Sequence, residues 1–284
     1  TGISLGSIYA IIALGYTMVY GIAKMLNFAH GDIIMIGGYV SFCAMYYLNL
    51  PPIVATLLAV IACTVLGIVI ERLAYKPLRS APSLAVLITA IGVSYFLQNS
   101  ALLIWKAAAK TYPPVVEGSL KLFDGQLTIS YISLLTIAAC IIIMLALTTF
   151  VSKSKMGKAM RACSEDKGAA QLMGINVNTT ISFTFAVGSA LAGIGAVLYC
   201  MAYTQASPTM GIMLGTKAFV AAVLGGIGSI PGAVIGGLLV GFAEVFVSAI
   251  GLSVWQDAVV FLLLIVVLIV KPTGLLGRPM TEKV

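Results

Sequence analysis

Charged residues are scarce in this 284-residue chain, at 9% of the total, whereas ordinary soluble domains contain about 25%. Hydrophobic residues make up 61%. So few charges could not cover the surface of a soluble protein of this size. Intrinsic disorder is also excluded, because disordered chains are rich in charge and poor in apolar residues. The composition therefore predicts an all-α polytopic membrane protein.

Histidine and cysteine are also in short supply. The single histidine, His30, excludes any site that needs two histidines, and the five cysteines show no CxxC or other metal-ligand spacing. The net charge of +7 comes from bases in short loops between apolar runs, a pattern that membrane orientation explains better than nucleic-acid binding. We therefore expect no metal, no cofactor and no nucleic-acid partner.

Catalytic sequence motifs are missing as well. The chain contains no GxxxxGK phosphate-binding loop followed by Ser or Thr, no GxSxG motif and no HExxH motif. Without such a loop the chain has no known means of hydrolysing ATP. We predict that the protein is not an enzyme, and that any uphill transport takes its energy from a partner or an ion gradient.

Long apolar runs are what the chain does have, and a membrane-spanning helix needs about 20 such residues. Nine segments qualify, approximately Ile3–Ile22, Ile33–Leu48, Ile53–Ile70, Leu84–Trp105, Ile129–Val151, Ile181–Tyr203, Ile212–Gly226, Ala233–Ile250 and Val254–Val270. They predict eight or nine transmembrane helices. The second and seventh segments are short and interrupted by glycine. Irregular backbone at membrane depth needs protein or water to cover it, so a transport pathway is first expected there.

Positive charge is concentrated in three regions, the loops Glu71–Ala81 and Ser152–Thr180 and the tail that follows Val270. Because cytoplasmic loops carry an excess of Lys and Arg, these regions are predicted to be cytoplasmic. The loop Lys106–Thr128 holds three bases against two acids and is predicted to be external, with the Pro and Gly residues of turns. Thr1 is then outside, unless the second or seventh segment is re-entrant.

Glycines four residues apart recur in the apolar segments, for example Gly2 with Gly6 and Gly237 with Gly241. Small residues at this spacing let helix backbones approach closely in lipid. Two interpretations stay open, namely packing within the chain and the seam of a homo- or heterodimer.

Polar side chains inside the apolar segments are few, and such residues are costly and usually functional. We take five as candidate pathway residues: Asn27, His30, Asp32, Lys217 and Glu244. Asn27 and Asp32 also suit a turn and a helix start, where Asp meets the positive end of the helix dipole. Glu244 also suits a buried structural partner for another polar group.

Six glycines and one proline occur within Gly225–Gly237. Since glycine costs about 1 kcal/mol relative to alanine in a helix interior, this density predicts a tight hairpin between the seventh and eighth segments. Pro231 suits the first turn of the helix that follows. The functional alternative is that Gly228, Pro231 and Gly232 form a gate that moves during transport.

The loop Ser152–Thr180 is far longer than a turn requires. Ser164 suits a helix cap and Gly174 a helix stop, so a short helix is predicted between them. Its small apolar residues, among them Ala169 and Ala170, need something to pack against. Lipid headgroups and a soluble subunit both fit this composition.

Several motifs together resemble one transporter family. They are GYTMVYGI at residues 15–22, NFAHGD at 27–32, RACSED at 161–166, GIN at 174–176, KAF at 217–219, GGIGSIPGA at 225–233 and KPTGLLGRP at 271–279. This combination covers nearly the whole chain and resembles branched-chain amino acid ABC transporter permeases, most closely the first of the family's two permease subunits. The departure is Asp32, where many members have Glu.

The resemblance implies one transmembrane domain of the ABC importer permease type over residues 1–284, in the bacterial plasma (inner) membrane. It also implies partners, namely a second homologous permease, two ATP-binding subunits and a periplasmic or extracellular solute-binding protein that delivers Leu, Ile or Val. Two alternatives stay open: a permease for urea or short amides, and an ion-coupled carrier that acts alone.

The resemblance further implies that residues 152–180 are a cytoplasmic coupling loop. The family's Glu-Ala-Ala…Gly pattern corresponds here to Glu165, Ala169, Ala170 and Gly174, with the glutamate three residues farther from the alanine pair than is usual. These four residues are therefore expected to couple the permease to an ATPase, with the two alanines closest to it.

Overall fold

The structure is a computed structural model that describes residues 1–79, 81–122 and 127–277. Its helices are α1 (Gly2–Ala23), α2 (His30–Tyr46), α3 (Pro52–Ile70), α4 (Ser83–Trp105), α5 (Tyr131–Lys153), α6 (Lys155–Glu165), α7 (Lys167–Leu172), α8 (Val177–Tyr203), α9 (Met210–Gly225), α10 (Ile230–Ala249) and α11 (Gln256–Val270). Short π- and 3₁₀-turns extend α3 to Leu78, and a 3₁₀-turn from Ser253 leads into α11.

All nine apolar segments of the sequence form helices. Within the described residues, seven helices are long and apolar enough to cross a membrane, which confirms the all-α polytopic fold class. The second and seventh segments form short helices, α2 with 17 residues and α9 with 16. The sequence predicted short segments here from their glycine and polar interruptions, and the helices in the structure are short as well. Helix α11 has 15 residues, but the 3₁₀-turn from Ser253 extends it to 18.

The helices form a bundle around α1. Nearly all of α1 is buried, and it packs against α8, α9 and α10. By contrast, α4, α5 and α11 expose most of their apolar side chains. A soluble protein does not expose apolar faces of this extent, so these three helices have surfaces suited to contact with lipid or with another membrane subunit.

Glycines bring α1 and α10 into backbone contact. A Cβ atom added to Gly6 would lie 2.8 Å from Cα of Leu238, and one added to Gly241 would lie 2.3 Å from N of Gly6. Real Cβ atoms do not approach other atoms this closely, so only glycine fits at these two positions. The GxxxG spacings of these two helices therefore serve packing within the chain, which is the first of the two interpretations.

One end of the bundle gathers the basic regions of the sequence. Arg79 contacts Asn178, and Lys167 Nζ donates a hydrogen bond to the carbonyl oxygen of Ala23 at 2.9 Å. This clustering agrees with a common cytoplasmic side. Two bases of the tail, Arg278 and Lys283, lie outside the described residues.

The opposite end carries short antiparallel strands that the turn-like composition did not predict. Strand β1 (Lys110–Thr111) pairs with β4 (Gln205–Ala206), and β2 (Ser119–Leu122) pairs with β3 (Leu127–Ser130). The pairing of β1 with β4 joins the segment after α4 to the connection between α8 and α9. It therefore ties two distant parts of the chain together at this end.

The loop 152–180 contains two helices, α6 and α7, where the sequence predicted one. The cap of the second helix is Asp166 and not Ser164, because the Asp166 carboxylate accepts hydrogen bonds from N of Gly168 at 2.8 Å and N of Ala169 at 3.0 Å. Gly174 does end this region, with φ of +81°, a conformation that favours glycine.

The glycine-rich hairpin forms as predicted. Helix α9 ends at Gly225 and α10 begins at Ile230, with Pro231 in its first turn. The Ser229 hydroxyl caps α10 by accepting a hydrogen bond from N of Gly232 at 3.2 Å. The gate assigned to this hairpin remains a hypothesis.

Candidate functional site

Helix α2 begins deep inside the bundle. Its first residue, His30, packs against the middle of α1, with its ring 4.5 Å from the ring of Tyr16. A Cβ atom on Gly15 would lie 2.7 Å from His30 Nε2. Gly15 precedes the end of α1 at Ala23 by eight residues, a rise of about 12 Å. The stretch of chain between α1 and α2 therefore turns back into the bundle, and α2 begins level with the middle of α1.

Three of the five candidate pathway residues lie in this stretch, and all three are almost fully buried. Asn27 Oδ1 accepts a hydrogen bond from the Tyr75 hydroxyl at 2.9 Å. Among the residues that the structure describes, His30 Nε2 and Asp32 Oδ1 have no hydrogen-bond partner. Asp32 occupies the first turn of α2, as a helix-start residue would. That position does not explain an unpartnered, buried carboxylate oxygen.

A cavity of about 210 Å³ lies beside this stretch, between α2, α4 and α9. Its polar lining comes from Asp32, Ser94, Gln98 and Thr216. The Gln98 amide donates a hydrogen bond to the Ser94 hydroxyl at 3.0 Å. A cavity of this size and polarity holds water or a small solute.

The start of α9 forms another wall of the same cavity. Cβ atoms added to Gly31 and Gly211 would lie 2.2 Å and 2.3 Å from each other's carbonyl oxygens, so the two backbones touch. Gly211 and Gly215 both line the cavity. The two short helices therefore begin next to one another, at the place where the sequence predicted a pathway.

Lys217 and Glu244 belong to a different cluster. Lys217 Nζ lies 2.8 Å from Glu244 Oε1 and 2.8 Å from Asp257 Oδ1, while the Tyr9 hydroxyl donates a hydrogen bond to Glu244 Oε2 at 2.8 Å. Neither Lys217 nor Glu244 lines the cavity. Of the five candidates only Asp32 lines this cavity, so their assignment to one pathway stays a prediction. Glu244 has the structural partner that the second interpretation assigned to it.

A further buried carboxylate, Glu71, was missed because the sequence places it at the edge of a loop. Its side chain is fully buried at the end of α3 and forms an ion pair with Arg79. The Ser182 hydroxyl donates a hydrogen bond to Glu71 Oε2 at 2.6 Å, and Arg79 also donates to Asn178. These contacts join the end of α3 to the start of α8.

Of the four residues expected to couple the permease to an ATPase, one is buried and three are exposed. Ala170 is buried against Met18 and Met160, whereas Glu165, Ala169 and Gly174 are exposed. The expectation that both alanines lie closest to a partner is therefore corrected for Ala170, because its methyl group contacts the chain's own core.

Two apolar side chains at the end of α7 are almost fully exposed instead, Leu172 at 91% and Met173 at 82%. The other end of α7 is held down by Lys167. Burial, reinforced by the nearby charge of Arg79, lowers the pKa of the Lys167 ammonium group. Helix α7 is thus anchored on one side and offers an apolar tip on the other.

Comparison with known proteins identifies the family to which this chain belongs. The family described as "Branched-chain amino acid transport system / permease component" matches residues 1–268. The chain belongs to this family. It is 46% identical to the high-affinity branched-chain amino acid transport system permease protein BraD of Pseudomonas aeruginosa, over 100% of this chain and 96% of that protein. It is also 46% identical to the corresponding protein LivH of Escherichia coli, and 47% identical to LivH of Salmonella typhimurium, with the same coverage.

Membership in the family makes this chain a permease component of a branched-chain amino acid transport system, and a multi-pass protein of the plasma (inner) membrane. The residues that sequence reasoning missed in this permease are Tyr9, Glu71 and Asp257. Only Glu71 and Asp257 carried a signal, since Glu71 directly follows the third apolar segment and Asp257 lies inside the ninth.

Proposed function

We propose that this permease component forms half of the translocation channel of an ATP-driven importer of Leu, Ile and Val. The family match and the printed names of the relatives support the solute class. The absence of a phosphate-binding loop from the sequence means that ATP is hydrolysed elsewhere. The assembly then requires a second homologous permease, two ATP-binding subunits and a solute-binding protein.

The exposed tip of α7 supports the proposal that this permease is coupled to an ATP-binding subunit. Leu172 and Met173 project from the end of the bundle that gathers the basic loops. Exposed apolar side chains on an anchored element are typical of a protein–protein contact. We assign this tip to the ATP-binding subunit, with Glu165, Ala169 and Gly174 around it.

Movement of α7 would be transmitted to the channel through contacts that are already formed. Ala170 lies in the same buried cluster as Met18 of α1, and Lys167 donates a hydrogen bond to the carbonyl oxygen of Ala23 at the end of α1. Helix α1 in turn packs against His30 at the start of α2. A rigid helix therefore joins the coupling surface to the cavity.

The test is uptake by proteoliposomes that contain the complete transporter. We expect ATP- and binding-protein-dependent uptake of Leu, Ile and Val, and no uptake of urea. The variant Leu172→Asp should lower both ATPase co-purification and uptake at least tenfold, whereas Gln171→Asp, on the same helix but already polar, should retain both. Uptake by this chain alone, driven by an ion gradient, would favour the carrier hypothesis instead.

A further inference from the structure

We propose that the cavity between α2, α4 and α9 is a binding site for the amino acid within the permease, in which the Asp32 carboxylate binds the substrate's α-ammonium group. The inference rests on the proposed function, because it specifies how that function's substrate is held inside the membrane.

The first support is the state of Asp32. Its side chain is 2% exposed, it lines the cavity, and its Oδ1 atom has no partner among the described residues. The polar neighbours are neutral, namely Ser94, Gln98 and Thr216. A buried carboxylate without a cation is unfavourable, so a ligand that brings a positive charge is favoured there.

No cation of the described chain fills this role. The cavity lining within the described residues contains neither Lys nor Arg. Lys217 follows the lining residue Thr216 on α9, but its ammonium group is already bound by Glu244 and Asp257 at 2.8 Å each. A cation that pairs with Asp32 in this cavity would therefore be part of a bound molecule.

The second support is the apolar part of the lining, which suits a branched aliphatic side chain. The Phe219 ring lies 5.8 Å from that of Phe28 and 6.0 Å from that of Tyr16. Ile91 and Ile212 complete this wall. An ammonium group at Asp32 would leave the substrate's side chain facing these aromatic and branched groups.

The start of α9 suits the second charged group of the substrate, its carboxylate. Gly211, in its first turn, lines the cavity, and the positive end of the helix dipole favours an anion at this end. A zwitterion therefore meets a negative side chain on α2 and a positive helix end on α9. Urea has no charge, so it can form only neutral-ligand hydrogen bonds with these groups and no ion pair with Asp32.

The principal experiment measures leucine uptake and ATPase activity of the complete transporter in proteoliposomes. We expect Asp32→Asn, which keeps the shape and removes the charge, to lower uptake at least tenfold while stimulation of the ATPase by the binding protein persists. Asp32→Glu should retain a measurable part of the uptake. The matched control, Glu117→Gln, removes an exposed carboxylate of the external loop and should leave uptake unchanged. Wild-type uptake by Asp32→Asn would overturn the inference.

A second measurement does not depend on the folding of an Asp32 variant. Ser94→Cys, made in a background without the five native cysteines, places a thiol in the cavity wall. We expect leucine to slow its labelling by a water-soluble thiol reagent, and the 2-oxo acid of the same carbon skeleton, which lacks the ammonium group, to have no effect. Equal slowing by both compounds would contradict a role for the ammonium group.

Different results would contradict the proposed function and the proposed binding site. If the wild-type assembly takes up none of Leu, Ile and Val, the proposed function is wrong. If the wild type takes them up and Asp32→Asn does so equally well, only the assignment of this cavity is wrong.

Discussion

Lys217 Nζ lies 2.8 Å from a carboxylate oxygen of Glu244 and 2.8 Å from one of Asp257, so one ammonium group is shared by two acids on different helices. The cluster joins α9, α10 and α11, and the Tyr9 hydroxyl adds α1 through its bond to Glu244. Helix α11 is otherwise largely exposed. Its position in the bundle therefore depends on this polar contact as well as on apolar packing.

The first prediction concerns this cluster. Lys217→Met leaves two acids without their cation, and we expect it to lower the stability of the permease by about 3–5 kcal/mol, the usual cost of breaking a buried pair. The double variant Lys217→Met with Glu244→Gln should recover part of that loss. Thermal unfolding of the two single variants and the double variant in detergent measures the coupling. Strict additivity would show that the two side chains do not interact.

The second prediction compares Gly232 with Gly92. A Cβ atom on Gly232 would lie 2.4 Å from the carbonyl oxygen of Gly225. That oxygen belongs to the backbone, so it can move only if the backbone shifts. A Cβ atom on Gly92 would meet nothing within 4 Å. We expect Gly232→Val to abolish folded protein. Gly92→Ala, in the interior of α4, should instead stabilise by up to about 1 kcal/mol. Yields and melting temperatures in detergent test both, and normal folding of Gly232→Val would contradict the packing.

The third prediction addresses the gate hypothesis at Gly228. This residue has open space around it but a φ of +93°. Gly228→Ala should therefore fold at a cost of about 1–2 kcal/mol, which makes its transport measurable. Retained ATPase activity with lost uptake would support the gate, and normal uptake would limit the hairpin to a structural role.

The fourth prediction concerns Arg79 and Glu71. Since Glu71 is fully buried, Arg79→Met should destabilise the permease more than Arg79→Met combined with Glu71→Gln, because the single change leaves a buried charge unpaired. We expect faster proteolysis near Asn178 in the single variant, where α8 loses its contact with Arg79. An equal loss in both variants would show that the buried charge is not the cause.

The fifth prediction uses two neighbouring alanines of α7. Ala170 is 3% exposed and Ala169 is exposed. Ala170→Trp should overpack the contact with α1 and reduce the yield of folded protein, while Ala169→Trp should fold normally and weaken binding of the ATP-binding subunit. Size-exclusion profiles and co-purification distinguish the two effects. Normal folding of Ala170→Trp would place that side chain outside the core.

The helices and their ends were largely predictable because their causes are local. A bilayer sets the length of an apolar run, so nine runs correspond to nine helices. Glycine at positive φ ends the region at Gly174, and Pro231 starts α10, since both effects depend on the residue itself. The predicted cap at Ser164 was wrong because Asp166, two residues later, caps the helix by accepting hydrogen bonds from its first N–H groups.

The sequence by itself determined that this protein is a polytopic helical membrane protein with two short apolar segments, because apolar length and composition act along the chain. Its motifs carried the resemblance to the permease family. Only the tertiary structure decided which polar residues meet. Tyr9 and Glu244 are 235 positions apart, and Asp32 shares a cavity with Ser94 and Thr216 from two other helices. No local pattern encodes such pairings, since they follow from how glycine contacts set the helices against one another.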